Sequence, residues 1–209
     1  MPQLRSQRAR GIEASDVGTW TTMLRNIRAD AFRFAGKSSL ATVAALALTN
    51  RPFRPILTLR LCKACAGGPF ELLARILHRL AQGAAGMDLP WTLQAGPGLL
   101  VAHGWGLVIN PGVRIGSNVT SLSGVVLGYK DVRDRSDTCP IIADEVWIGP
   151  HAIVIGGIVI GEGAIIGAGS VVVKDVPAHC IAAGNPARIL REHVSPSVRN
   201  RAALPGMQA

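Results

Sequence analysis

Aliphatic residues recur at every sixth position through the C-terminal half of the chain: Ile142, Ile148, Val154, Ile160, Ile166 and Val172. A small residue follows most of them, as in Ala143, Gly149, Gly161 and Gly167. A second small or branched residue stands four places on, as in Val146, Ala152, Ile158, Ala164, Ser170 and Val176. A helix repeats at about 3.6 residues and a strand at about 2, so neither explains this period. A triangular coil does. Each turn has three short parallel strands, one hexapeptide forms each side, and the aliphatic side chains stack along the axis. Glycines suit the corners, where positive φ is required. The pattern predicts a mostly β fold, a left-handed parallel β-helix. The frame runs back through Leu127, Ser121, Ile115 and Ile109, and it breaks twice. A charged loop bulges out at about Gly128 to Ile141, and the register slips near His103, in Ala102-His103-Gly104-Trp105-Gly106. Such departures are where chemistry is expected.

Ahead of the coil the period changes to the helical one. Trp20, Met23, Leu24, Ile27 and Phe32 predict a first helix, capped by Asp16 or Thr19. Ser39–Thr49, Pro55–Cys62 and Pro69–Ala84 predict three more. The expected organisation is a frayed basic segment at 1–15, an α-helical region at 16–87, the β-helix at 88–190 and a tail at 191–209. The helices would cap the open end of the coil, whose backbone edge is otherwise exposed, and would help hold subunits together. A short helix is expected from Ala187 to His193.

Charge adds one feature to this picture. Residues 1–80 hold 13 Lys/Arg against 4 Asp/Glu, whereas residues 81–209 hold 9 of each, so the net charge of +9 lies wholly in the N-terminal part. It reads either as a solvated helical face or as attraction to an acidic polymer or a membrane surface. Only nine residues are aromatic, which argues against a base-stacking nucleic-acid platform. Four irregularly placed cysteines make no disulfide framework and suit a reducing, cytoplasmic setting. Cys62 and Cys65 form a lone CxxC in an apolar helical stretch, read as core packing. No closely spaced ligand cluster predicts a metal.

Of the five histidines, His78, His151, His179 and His193 read as exposed or satisfied side chains. His103 differs: it lies in the register slip between residues flanked by Gly104 and Gly106, and imidazole can take a proton from a hydroxyl near neutral pH. Asp88 is the only acid between Glu71 and Asp131, and fifteen residues is close to one turn of the coil. Spacing alone leaves an Asp88–His103 dyad open.

Residues 88–190 resemble the serine acetyltransferase group of hexapeptide-repeat acyltransferases. The resemblance rests on Asp88-Leu89-Pro90, Gly98 through Gly104, Val108-Ile109-Asn110, Gly124 through Gly128, Cys139-Pro140, Gly167 through Val172, Lys174 through Pro177 and Ala183 through Arg188. It implies that Asp88 orients His103 as general base and that acetyl-CoA is the donor, with no metal. The implied assembly is a homotrimer with intersubunit active sites, or a dimer of trimers. Pantetheine would lie near Gly128, Ala168, Gly169 and Ala183, with Lys174 and Arg188 on the CoA phosphates. Backbone N–H groups near Gly124 or Gly128 would hold the oxyanion. Two positions depart from the family. Ala102 replaces an aspartate that holds the amino group of serine, and Thr138-Cys139 replaces an Arg-His that binds its carboxylate. Cys139 is read as a pocket wall, Trp105 as an aromatic beside the acceptor, and Arg133 and Arg135 as replacement anchors. The departures, together with His103-Gly104-Trp105 and Cys139-Pro140, are more similar to exopolysaccharide acetyltransferases of the colanic-acid type. The expected activity is therefore O-acetylation of a saccharide, with serine O-acetylation as the alternative and a non-catalytic scaffold as the third reading.

Overall fold

The computed structural model describes residues 20–130 and 139–194. Among these residues four helices come first: α1 (Trp20–Ala35), α2 (Leu40–Thr49), α3 (Phe53–Cys65) and α4 (Glu71–Ala85). Ser39 caps α2 by accepting the Thr42 N–H at 3.1 Å, and Gly86 ends α4 in the left-handed region at φ 66.

Among the described residues fourteen short strands follow, β1 (Gln94–Ala95) to β14 (Ala187–Arg191), and they wind into a three-sided prism. One side carries β1, β4 (Arg114–Ile115), β7 (Ile141–Ile142) and β10 (Val159–Ile160); the second carries β2 (Leu100–Val101), β5 (Thr120–Ser121), β8 (Trp147–Ile148), β11 (Ile165–Ile166), β13 (Ile181–Gly184) and β14; and the third carries β3 (Val108–Ile109), β6 (Val126–Gly128), β9 (Ile153–Ile155) and β12 (Val171–Val172). Pairing is parallel throughout except for β13 with β14. The hexapeptide register accounts for this. Ile142, Ile148, Val154, Ile160 and Ile166 are all 0% exposed and form the axial core, as the six-residue period requires. The arrangement is the left-handed parallel β-helix that the six-residue period predicts, and a helical region precedes it.

The two interruptions take definite form. Strands start six residues apart, except between β2 at Leu100 and β3 at Val108, between β6 at Val126 and β7 at Ile141, and at the end of the coil between β12 at Val171 and β13 at Ile181. The slip at His103 is thus an insertion of two residues. Most of the second interruption, including Arg133, Arg135 and Thr138, lies outside the described residues. The exit segment is corrected. Ala187–Arg191 is strand β14, paired antiparallel with β13, where a helix was expected. The free backbone edge of Ile181–Gly184 captures the returning chain, and that pairing overrides local propensity.

The helical cap closes the first coil through a buried ion pair. The Arg60 guanidinium donates to both carboxylate oxygens of Asp30, at 2.9 and 3.1 Å, and to the carbonyls of Ala95 and Gly96, each at 2.6 Å. Asp30 also accepts the Leu99 N–H at 2.9 Å. These are groups of the coil edge that no further strand reaches, so two side chains of the cap do the work of the missing turn. Burial pushes the Asp30 carboxyl up, against the opposing pull of Arg60 and of the Leu99 and Gly98 N–H groups. Ile56, Leu59 and Ala85 join the axial core from above.

Candidate active site

His103 occupies the two-residue insertion at the corner between the second and third sides. Its backbone is left-handed, at φ 59, and its carbonyl accepts the Trp105 N–H across the tight turn. A non-glycine residue in this region carries strain of about 1 kcal/mol or more, held only because the turn on either side is fixed. The side chain is exposed and lines a cavity of about 580 Å³ between the coil and the cap. Phe32, Arg33, Asn50, Pro52 and Ala102 also line it, and among the described residues its lining holds no carboxylate. Arg33 donates to Asn118 O at 2.9 Å and to Thr120 Oγ1 at 2.7 Å, and burial lowers its pKa to about 10 against the opposing charges of Glu145 and Asp30.

A hydrogen-bonded column runs down this corner. Gly106 N donates to Gly86 O, Gly124 N to Trp105 O, His151 N to Ser123 O and Gly169 N to Pro150 O. At about 4.8 Å per coil, Gly169 lies roughly 15 Å from the Trp105 turn. Ala168 and Gly169 are exposed there, and Ala183 is packed so close that a Cβ on Gly167 would meet its methyl at 2.6 Å. Trp105 stands beside His103, backed by Gly86, with the Arg51 guanidinium 4.3 Å from its ring centroid.

The predicted residues therefore fall into two groups. His103, Ala102, Trp105, Ala168, Gly169 and Ala183 cluster at this corner. Asp88 adjoins it: Asp88 N donates to Leu107 O, and Leu107 N donates to Gly104 O. Among the described residues no hydrogen bond joins the side chains of Asp88 and His103 within one chain. Gly128, Cys139 and Lys174 belong to the next corner, where β6 and β12 end. Cys139 is 8% exposed and donates from Sγ to Asn110 Oδ1 at 3.2 Å, so it packs away from His103. Arg188 is exposed on β14. The Gly124 N–H is taken by Trp105 O, which removes it as an oxyanion donor. Cys62 is buried with its thiol pushed up to about 11 by burial, as packing predicts.

The sequence reading passed over two residues of this corner. His151 stands on the column between Gly124 and Gly169, with Nδ1 where a Cβ on Gly124 would fall, 2.2 Å away. The corner period, counted from Gly106 and Gly124, was the available signal. Arg51 had no such signal, since only folding sets it over Trp105.

Comparison with known proteins fixes the family. Residues 139–174 match the family described as bacterial transferase hexapeptide (six repeats). The chain is 38% identical over 130 residues to serine acetyltransferase 2 of Arabidopsis thaliana, covering 61% of this chain and 40% of that protein. The chain thus spans less than half of that relative's length. It superposes on the soybean serine acetyltransferase apoenzyme with a TM-score of 0.70 and 32% identity, covering 81% of this chain and 69% of that one. The serine acetyltransferase of Brucella abortus strain S19 in complex with coenzyme A gives 0.68 and 29%, over 85% and 70%. These findings overturn the colanic-acid-type assignment and the saccharide acceptor. Both rested on a few positions, notably Ala102 and Thr138-Cys139, whereas the likeness to serine acetyltransferases extends through coil and cap together. By sequence and by fold, the chain belongs to the hexapeptide transferase family, among the homologues of the serine acetyltransferases.

Proposed function

We propose that this chain transfers an acetyl group from acetyl-CoA to the hydroxyl of serine. What supports it is the placement of His103, in a strained turn beside an open cavity, in a homologue of the serine acetyltransferases. The His103 imidazole takes the proton of the serine hydroxyl, and the oxygen attacks the thioester carbonyl. As the tetrahedral species collapses, the imidazolium returns that proton to the departing thiolate. Asp88, one coil above, is the carboxylate placed to orient the ring. Acetyl-CoA supplies the thioester. Its pantetheine arm follows the exposed Ala168-Gly169 corner past Ala183, with Arg188 as a phosphate partner.

The distribution of the remaining residues favours an assembled site. Gly128, Cys139 and Lys174 lie one prism corner away from His103, so a single chain cannot present both groups to one ligand. A homotrimer that sets the His103 corner of one copy against the β6–β12 corner of the next unites them.

The test is product identification. Purified protein, acetyl-CoA and L-serine should yield O-acetylserine by mass spectrometry, with one free thiol per product. Consumption of acetyl-CoA that serine does not accelerate would refute the reading.

A further inference from the structure

α4 is turned inside out relative to an ordinary cap helix. Its buried residues are Ala74, His78, Gln82 and Ala85. The polar members of this set are occupied: His78 Nε2 pairs with Leu89 O at 2.7 Å and Nδ1 with Thr58 Oγ1 at 2.8 Å, while Gln82 Oε1 accepts the Leu89 N–H at 3.4 Å. The opposite face carries Leu72, Leu73, Ile76, Leu77 and Leu80, exposed by 70, 54, 49, 45 and 64%. Five large aliphatic side chains at helical spacing form one contiguous apolar stripe about 12 Å long, far more than scattered surface leucines would. α2 adds a second helix with no buried residue, and Leu40 and Leu48 are exposed on it.

Charge identifies what covers the stripe. Residues 20–86 hold ten Lys/Arg and two Asp/Glu, and one of those acids, Asp30, is buried on Arg60. Arg75 and Arg79 flank the leucines on α4, and Arg25, Arg28, Lys37 and Arg51 are exposed elsewhere on the cap. A second copy laid face to face on this surface would bring like charge against like. An anionic bilayer meets both features: leucines enter the acyl boundary while arginines at the rim reach the phosphates. No helix among the described residues is long and apolar enough to cross a membrane, so α4 would lie in the interface. We propose that the helical cap docks on an anionic membrane surface through the Leu72–Leu80 face of α4.

The proposal is independent of the acetyl acceptor, and its test uses the full chain and vesicles without substrate. The protein should sediment with vesicles of phosphatidylcholine and phosphatidylglycerol, far less with phosphatidylcholine alone, and be released by salt. Leu72→Ser with Leu80→Ser, chosen as the most exposed pair, should weaken binding about tenfold or more. Arg79→Gln should weaken it about fivefold, the worth of one basic residue near such a surface. Circular dichroism of both variants should match the parent. Equal binding to neutral vesicles would overturn the anionic assignment. Absence of binding would overturn the proposal outright. If the leucine variant then also halves the particle mass in sedimentation, the face is a contact between copies.

Discussion

Replacing Arg60 by Met tests whether the cap and the coil are one structure. The guanidinium is 2% exposed and makes four hydrogen bonds, two to Asp30 and two to the carbonyls of Ala95 and Gly96. Methionine keeps most of the volume but leaves the Asp30 carboxyl buried without its cation and two coil carbonyls without donors. Removing one partner of a buried pair costs about 3–5 kcal/mol. Each abandoned carbonyl adds about 1 kcal/mol unless water reaches it. Partial relaxation brings the expected loss to about 4 kcal/mol, a large share of the 5–15 kcal/mol that roughly bounds a domain's stability. Urea unfolding followed by tryptophan fluorescence, at one fixed protein concentration because assembly contributes, measures it. Adding Asp30→Asn should recover about 2 kcal/mol, since the stranded charge is gone. A loss under about 1 kcal/mol for Arg60→Met, or no recovery in the double variant, would refute the idea that this pair terminates the coil.

Three further outcomes are expected. Burial depresses the His78 pKa from 6.5, so the unfolded chain binds more protons just below that value; stability should fall as pH drops from about 7, by at most ~1.4 kcal/mol per unit, and in His78→Asn that part of the slope should vanish. An unchanged slope in the variant would show that the buried ring titrates normally. Gly124→Ala places a methyl at φ 68 and 2.2 Å from His151 Nδ1; it should cost about 1–2 kcal/mol and raise KM for acetyl-CoA more than for serine, whereas equal effects on both would take this corner out of the donor path. Ala102→Asp supplies a carboxylate beside His103; KM for serine should fall about tenfold, and a rise would mean that the ammonium points elsewhere.

The coil was legible because its physics is periodic. A stacked axial core demands an aliphatic residue every sixth place, so Ile142 through Val172 announced both the fold and, by their absence, the two insertions. The His103 turn was legible for the same reason, since a register slip bounded by glycines has few other uses. What sequence withheld was apposition. Asp30 and Arg60 are thirty residues apart and meet the coil edge at Ala95 and Gly96, a contact no period encodes. The helical spacing of Leu72, Leu73, Ile76, Leu77 and Leu80 gave an amphipathic helix but not the side that faces inward, which the hydrogen bonds of His78 and Gln82 decide. Ala187–Arg191 misled for a related reason: the strand exists only because β13 offers an edge. The acceptor misled differently, because three substituted residues, Ala102, Thr138 and Cys139, outweighed a likeness running through most of the chain.

The central claim is that His103 is the base that activates serine. Steady-state release of thiol from acetyl-CoA, with and without L-serine, in the parent and in His103→Ala, tests it most directly. The account predicts serine-dependent release that falls by about 10²–10⁴ in the variant, while KM for acetyl-CoA stays within about threefold because the imidazole does not hold the cofactor. Serine-dependent release at the parental rate in His103→Ala, or none in the parent, would contradict it.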